Sequence, residues 1–240
     1  MQQDRVQANH PPSSEHWLGT DDYGRDVFAR FTYGGRWSIL TGTVVTCVVL
    51  AVGWIVGGLA GYLGGWVDQT LMRITEVFLG LPWLYLLLAF RATMPLDLRP
   101  QTSMLAMMLL IAGISWPRPA RLVRGQVLSL KEQGYVEAAT GFGVPHWKVF
   151  VRHVAPGTIG LLVTQALVLL PGFILADVAI SFLGLGTVDP DPSWGTLLIP
   201  LKQAWILQQE WWRALPALLM LPFFMSFAWL AHSLSKKYTK

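Results

Sequence analysis

Charge is what this chain has least of. Asp, Glu, Lys and Arg make up 13% of its 240 residues, about half the ~25% of an average soluble domain. Apolar residues make up 53%. Too little polar surface remains to face water on every side, and the composition belongs to the membrane class. The single cysteine, Cys47, stands inside an apolar run, which excludes an intrachain disulfide. No G-x-x-x-x-G-K-S/T occurs, so the chain has no loop of that kind to cradle nucleotide phosphates. H-E-x-x-H, G-x-S-x-G and any cysteine–histidine set are missing too, and with them the common hydrolase and metalloenzyme chemistries. His146 and His153 are seven positions apart, too far to chelate a metal from one short helix. The net charge of +4 is modest, and no basic run is interleaved with polar readers. Nucleic acid is therefore excluded as a partner.

Long apolar runs are present instead. They predict five spans, at about 38–63, 74–93, 100–117, 157–183 and 214–235, each near the ~20 residues that cross a bilayer. Several of the twelve tryptophans, among them Trp37, Trp66, Trp116, Trp211 and Trp212, flank these runs where interfacial aromatics belong. Gly53, Gly57, Gly61 and Gly65 recur every fourth residue. That spacing lets another helix approach closely, either from a second subunit or from within this one. Pro82 interrupts the second run and predicts a kink. Asp68 and Arg73 fall in the link before it, with Glu76 and Arg91 near its ends. Gln165 and Asp177 are the candidates for a translocation path. An acid deep in a span is a functional candidate by default, and the competing reading puts Asp177 near the far interface. Residues 1–37 are polar and hold no apolar run, so they are neither a signal peptide nor a span.

The stretch from Trp116 to Pro156 is the main polar interruption. It carries six basic residues against Glu132 and Glu137. Tyr135, Ala138, Ala139 and Phe142 fall on one stripe at helical spacing, as do Trp147, Phe150, Val151 and Val154. Gly141 and Gly143 are expected to stop the first helix, Pro145 to open the second and Pro156 to close it. Both are too short to span. This spacing alone describes an amphipathic hairpin at the membrane surface.

The residue order says more. Glu137-Ala138-Ala139, three residues, Gly143, nine residues and His153-Val154-Ala155-Pro156 resemble the EAA loop of ABC-transporter permeases of the importing, binding-protein-dependent type. Ala155 stands where that family usually has leucine. The segment His16-Trp17-Leu18-Gly19-Thr20-Asp21, continuing to Gly24-Arg25-Asp26, looks like the H-x-L-G-T-D-x-x-G-R-D signature of dipeptide, oligopeptide and nickel permeases. The segments 65–82 and 180–198 resemble the same proteins in the same order. The acidic, glycine-containing C-terminal ending usual in the family is missing.

The resemblance implies an all-α, polytopic membrane bundle of about five spans, with a cytoplasmic helix hairpin over 118–156. It implies the second, C-type permease of an inner-membrane importer in a prokaryote, with di- or oligopeptides as cargo. Nickel or another chelated solute is the alternative cargo, and a non-transporting assembly subunit or a polytopic membrane enzyme the alternative class. The implied partners are a second homologous permease, two cytoplasmic ATPases, an extracytoplasmic substrate-binding protein and lipid. This chain would hold no cofactor, ATP and magnesium belonging to the ATPases. Tyr135, Glu137, Ala138, Ala139, Phe142, Gly143, Arg152, His153 and Pro156 would contact or position the ATPase groove. Five spans put residues 1–37 outside. The family has a sixth helix before the H-x-L-G-T-D segment, so the resemblance also implies a shortened form.

Overall fold

The computed structural model describes residues 5–95, 100–185 and 192–238. It is built from α-helices, α1 (Val27–Leu63), α2 (Gly65–Gly80), α3 (Trp83–Thr93), α4 (Pro100–Ser115), α5 (Pro117–Lys131), α6 (Gly134–Gly141), α7 (His146–Val149), α8 (Ile159–Phe182), α9 (Trp194–Leu198), α10 (Ala204–Gln209) and α11 (Leu215–Tyr238). Among the described residues no strand forms, and one isolated bridge joins Thr20 and Asp26. Three helical runs are long and apolar enough to cross a membrane: Val27–Leu63, His146–Phe182 and Trp211–Leu234. A fourth arises if α2 and α3, bent by 76° at their break, count as one. The third apolar run of the sequence falls on α4, 16 residues long, about 24 Å at 1.5 Å per residue.

Several boundaries differ from expectation for local reasons. The first span was expected from residue 38, yet α1 begins eleven residues earlier and includes the end of the 1–37 segment. Asp26 caps it, its side chain accepting from the Ala29 N–H at 2.7 Å, which satisfies a donor the helix leaves open. Gly64 and Gly65 end it in the left-handed region, at φ of 66° and 57°, where a Cβ would be strained. The second run, expected as one kinked helix over 74–93, is broken at Leu81. That residue is extended, at φ −76° and ψ 127°, as the residue before a proline prefers. The turn expected over 180–198 lies partly outside the described residues, as does the loop 94–102.

The chain forms two compact units. The first comprises Met1–Val44, Arg91–Met108 and Leu170–Trp229. Its core gathers Leu18, Val27, Ile174, Val178, Trp194, Leu197 and Met220. Trp194 is the pivot: its ring stacks on Phe31 at 5.4 Å, meets Phe223 edge-on at 5.1 Å, and its Nε1 donates to the Phe31 carbonyl at 3.0 Å.

The H-x-L-G-T-D-x-x-G-R-D segment folds around Asp21 in this unit. One carboxylate oxygen accepts from the N–H groups of Tyr23 and Arg25, both at 2.9 Å. The other accepts from Arg25 Nε at 2.8 Å and from Arg30 Nη1. Burial pushes this carboxyl up. The Arg25 N–H, the Arg30 charge, the Tyr23 N–H and the Arg25 side chain together hold it below the usual carboxylate range. A depressed folded-state value stabilises the fold fully above the unfolded pKa of ~3.9, and the contribution is lost as pH falls through the folded value. Amide protection at Tyr23 and Arg25 should therefore hold at neutral pH and be lost only in acid below the usual carboxylate range. Asp21→Ala, which removes both acceptor oxygens, should lack that protection already at neutral pH. Hydrogen exchange reads both, and protection that persists unchanged in the variant would remove Asp21 as the organiser of this turn.

The second unit comprises Val45–Phe90, Leu109–Leu169 and Leu230–Lys240. Val123, Val127, Val136, Val149 and Val154 form its core, with Trp54, Tyr62 and Phe150 packed against them. The glycine stripe of α1 meets α5 here. A Cβ on Gly53 would lie 2.8 Å from Pro119 Cβ, on Gly57 2.2 Å from the Ala120 carbonyl oxygen, and on Gly61 2.9 Å from that of Arg124. Close packing within the subunit thus accounts for three of the four glycines. The fourth, Gly65, has nothing within 4 Å and serves the turn.

Candidate coupling site

The polar interruption holds one helix more than its spacing suggested. Pro117 opens α5 at a position where its missing N–H costs nothing. Ala120, Val123 and Val127 bury one face of that helix against α1, and Arg121 and Arg124 turn to α2. Arg124 grips Asp68 through Nε and Nη2 at 2.5 and 2.6 Å, the two-pronged geometry a guanidinium favours with a carboxylate. Arg121 donates to Thr75 at 3.1 Å and lies 3.6 Å from Glu76. Asp68 and Glu76, expected in a link and at a snorkelling end, in fact neutralise two of the six basic residues. The acid–base spacing that signals this is spread over 56 and 45 residues of chain, beyond the reach of a local pattern.

The C-terminal stop of α6 is a Schellman turn. The Val144 N–H bonds the Ala139 carbonyl at 3.2 Å and the Gly143 N–H that of Thr140 at 3.0 Å. Gly143, at φ 76°, supplies the left-handed residue. Pro145 then stands just outside α7, at the cap and not at its first position. Tyr62 OH donates to the His146 carbonyl at 2.6 Å, and Lys131 Nζ to the Tyr62 carbonyl at 2.8 Å, which ties the hairpin to α1.

Pro156 does not close the second helix. The chain passes from α7 through a π-helical stretch, Phe150–Val154, and a 3-10 stretch, Ala155–Thr158, straight into α8. The wider π turn makes room for the proline ring, which would otherwise strike the carbonyl four residues back. Trp54 Nε1 fastens the junction by donating to Thr158 at 3.0 Å.

The two apolar stripes expected on the hairpin each divide between an inner and an outer face. Val136 is buried in the core and Ala139, expected to face a partner, is half-buried beside it. Tyr135, Ala138 and Phe142 stay outside, Phe142 with 89% of its surface exposed. On the second stripe Val154 is fully buried and Phe150 packs on the core, while Trp147 and Val151 are exposed, at 65% and 58%. A stripe at i, i+3, i+4, i+7 covers more than 100° of a helix, so on these short helices it includes residues from both faces.

The remaining candidates fall as follows. Glu137 is exposed and lines a cavity of about 410 Å³ with Lys131, Thr140 and His146. Arg152 and Pro156 are exposed, and His153 is half-buried. His153 offers its carbonyl to Tyr135 OH at 3.5 Å. Gln165 is half-buried on α8. Asp177 is fully buried in the first unit, accepting from Ser38 Oγ at 2.8 Å. It is buried inside the unit and not at an exposed surface, unlike the reading that put it at the far interface. Ser38 also accepts from the Trp194 N–H at 3.3 Å, so the acid anchors α1 and the start of α9.

A chain that is all α among the described residues, with several bilayer-length helices and an amphipathic hairpin that runs directly into one of them, describes a polytopic membrane protein. The chain belongs to the family described as binding-protein-dependent transport system inner membrane component, whose model matches residues 50–240. It is a multi-pass inner-membrane protein. It is 38% identical over 216 residues to the dipeptide transport system permease protein DppC of Bacillus subtilis, covering 89% of this chain and 64% of that one. It is 37% identical to the glutathione transport system permease protein GsiD of Pectobacterium atrosepticum, over 81% of this chain and 63% of that protein. The oligopeptide transport system permease protein OppC of Haemophilus influenzae is 39% identical over 76% of this chain and 57% of its own length. The chain spans less than two thirds of the length of these curated relatives.

Proposed function

We propose that this chain is a permease subunit of an ATP-driven, binding-protein-dependent importer of di- or oligopeptides. The observation that carries the reading is the exposed apolar face of the hairpin, Tyr135, Ala138, Phe142, Trp147 and Val151, on a rigid support. Bare aromatic surface of this kind on a polar loop marks a protein–protein contact. The helical run His146–Phe182 continues from that face into the membrane, so a push on the hairpin becomes a displacement of α8. A separate ATPase pair supplies the push, a second permease completes the path and an extracytoplasmic binding protein delivers cargo. Peptide cargo is supported by the names of the relatives, which specify dipeptide, glutathione and oligopeptide transport.

Site-specific cross-linking tests the contact. With Cys47 replaced by serine, a Phe142→Cys variant should cross-link to a cysteine in the groove of the co-expressed ATPase. A cysteine at Gly113, where nothing lies within 4 Å, should not. Absence of any Phe142→Cys adduct in an assembled, transporting complex would refute the proposed role of the hairpin.

A further inference from the structure

Glu76 is shared by two arginines within the second unit. Arg73 Nη1 donates to its Oε2 at 3.0 Å, and Arg121 Nη2 lies 3.6 Å from its Oε1. Arg118 is exposed one turn before Arg121, on the same face of α5, and no acid pairs with it among the described residues. Neighbouring Asp68 is committed to Arg124. Four arginines against two acids leave the α2–α5 surface with an excess of positive charge. The guanidinium groups are open to the outside: the Arg73 side chain is 83% exposed and that of Arg121 42%. Exposed aliphatic side chains stand beside them, Ile74 and Val77 on the Arg73 face of α2 and Leu122 next to Arg121. Only Trp116 and Pro117 separate Arg118 from the end of the apolar α4, the depth at which aromatic and basic residues meet lipid headgroups.

We propose that this surface binds the headgroup of an anionic phospholipid. A guanidinium takes a phosphate in two-pronged, charge-assisted hydrogen bonds, and Arg118 and Arg121, one helical turn apart, are spaced to share one. Arg73 adds a third cation from α2, held beside them through Glu76. Ile74, Val77 and Leu122 meet the start of the acyl chains and lose their contact with water there. An acidic protein surface would match the charge but leave those aliphatic groups without an apolar partner, whereas the bilayer around a multi-pass protein supplies both. A phosphatidylcholine headgroup carries the same phosphate, yet its ammonium brings a like charge toward the arginines, so the anionic headgroup is preferred. The inference rests on membrane insertion alone and not on the transport reading.

Spin-labelled phosphatidylglycerol and phosphatidylcholine, each added to the full chain in phosphatidylcholine nanodiscs, test the site by the fraction of label held immobile. One arginine near a membrane surface is worth about fivefold in affinity for anionic lipid, so phosphatidylglycerol should be preferred at least about fivefold. Arg73→Gln combined with Arg118→Gln should abolish the preference. Neither residue belongs to the valine core of the unit, so the double variant should elute like the wild type. If it aggregates, Arg118→Gln alone, which breaks no ion pair, carries the test with an about fivefold loss. Arg36→Gln removes an exposed arginine from the first unit and should leave the preference unchanged. No preference in the wild type would overturn the proposal and give the patch to an acidic protein. A preference that survives in the folded variants, or an equal loss in Arg36→Gln, would overturn it as well. Because the measurement includes no ATPase and no transport, its failure leaves the reading of the hairpin untouched.

Discussion

Gly57→Leu should be the most disruptive single substitution in the second unit. A Cβ there lies 2.2 Å from the Ala120 carbonyl oxygen and 2.9 Å from the Ala120 carbonyl carbon. Both are backbone atoms of a helix and neither can rotate aside, so α1 and α5 must separate. Overpacking costs about 1–3 kcal/mol, occasionally more. Here it also loosens the Asp68–Arg124 grip and the valine core beneath the hairpin. Alanine at Gly57 removes the glycine entropy penalty of ~0.5–1 kcal/mol, yet its own methyl meets the same oxygen, so it too should destabilise. Gly113→Ala is the control, since nothing lies within 4 Å of its Cβ, and it should be neutral or slightly stabilising. Thermal unfolding in detergent, followed by elution profile, distinguishes them. A Gly57→Leu protein that melts with the wild type would mean that α1 and α5 are not in contact at this point.

The readable parts of the sequence were those carried by short-range chemistry. Apolar run length located α1, α8 and α11, and Pro82 located the break between α2 and α3. The glycine period marked a close helix approach but not its partner, because α5 lies some sixty residues away and its two prolines hid its helical face. The hairpin was visible as two stripes, but which members faced inward depended on where Val123, Val127 and Val149 stood, and a stripe does not contain that information. Asp177 was legible as unusual. The hydrogen bond it accepts from Ser38, across 139 residues of chain, depends on a contact that only the fold creates. The Asp21 cluster, by contrast, was compressed into ten residues and gave a motif that could be read directly. Its link to Asn9 and Arg213, through Asp22, again could not.

Ala138 and Ala139 are neighbours with opposite surroundings, and the contrast separates coupling from folding. Ala138 is exposed on α6, and Ala139 packs against Val123, Val127, Val136 and their neighbours. Ala138→Glu adds a solvated carboxylate to an exposed helix position, so the variant should insert and melt like the wild type. With the hairpin seated in an ATPase groove, as proposed, the same carboxylate is desolvated without a partner. An unpaired buried interfacial charge costs about 2–5 kcal/mol, at least a ~30-fold loss of association. Peptide uptake in reconstituted vesicles should fall to background, and the ATPase should no longer co-purify. Ala139→Glu should fail differently: the charge enters the unit's own core, so the protein itself should melt early or aggregate. An Ala138→Glu protein that transports at the wild-type rate would show that the outer face of α6 bears no partner. Early melting of Ala138→Glu, to the same extent as Ala139→Glu, would instead put Ala138 in the core and contradict the division of the hairpin into two faces.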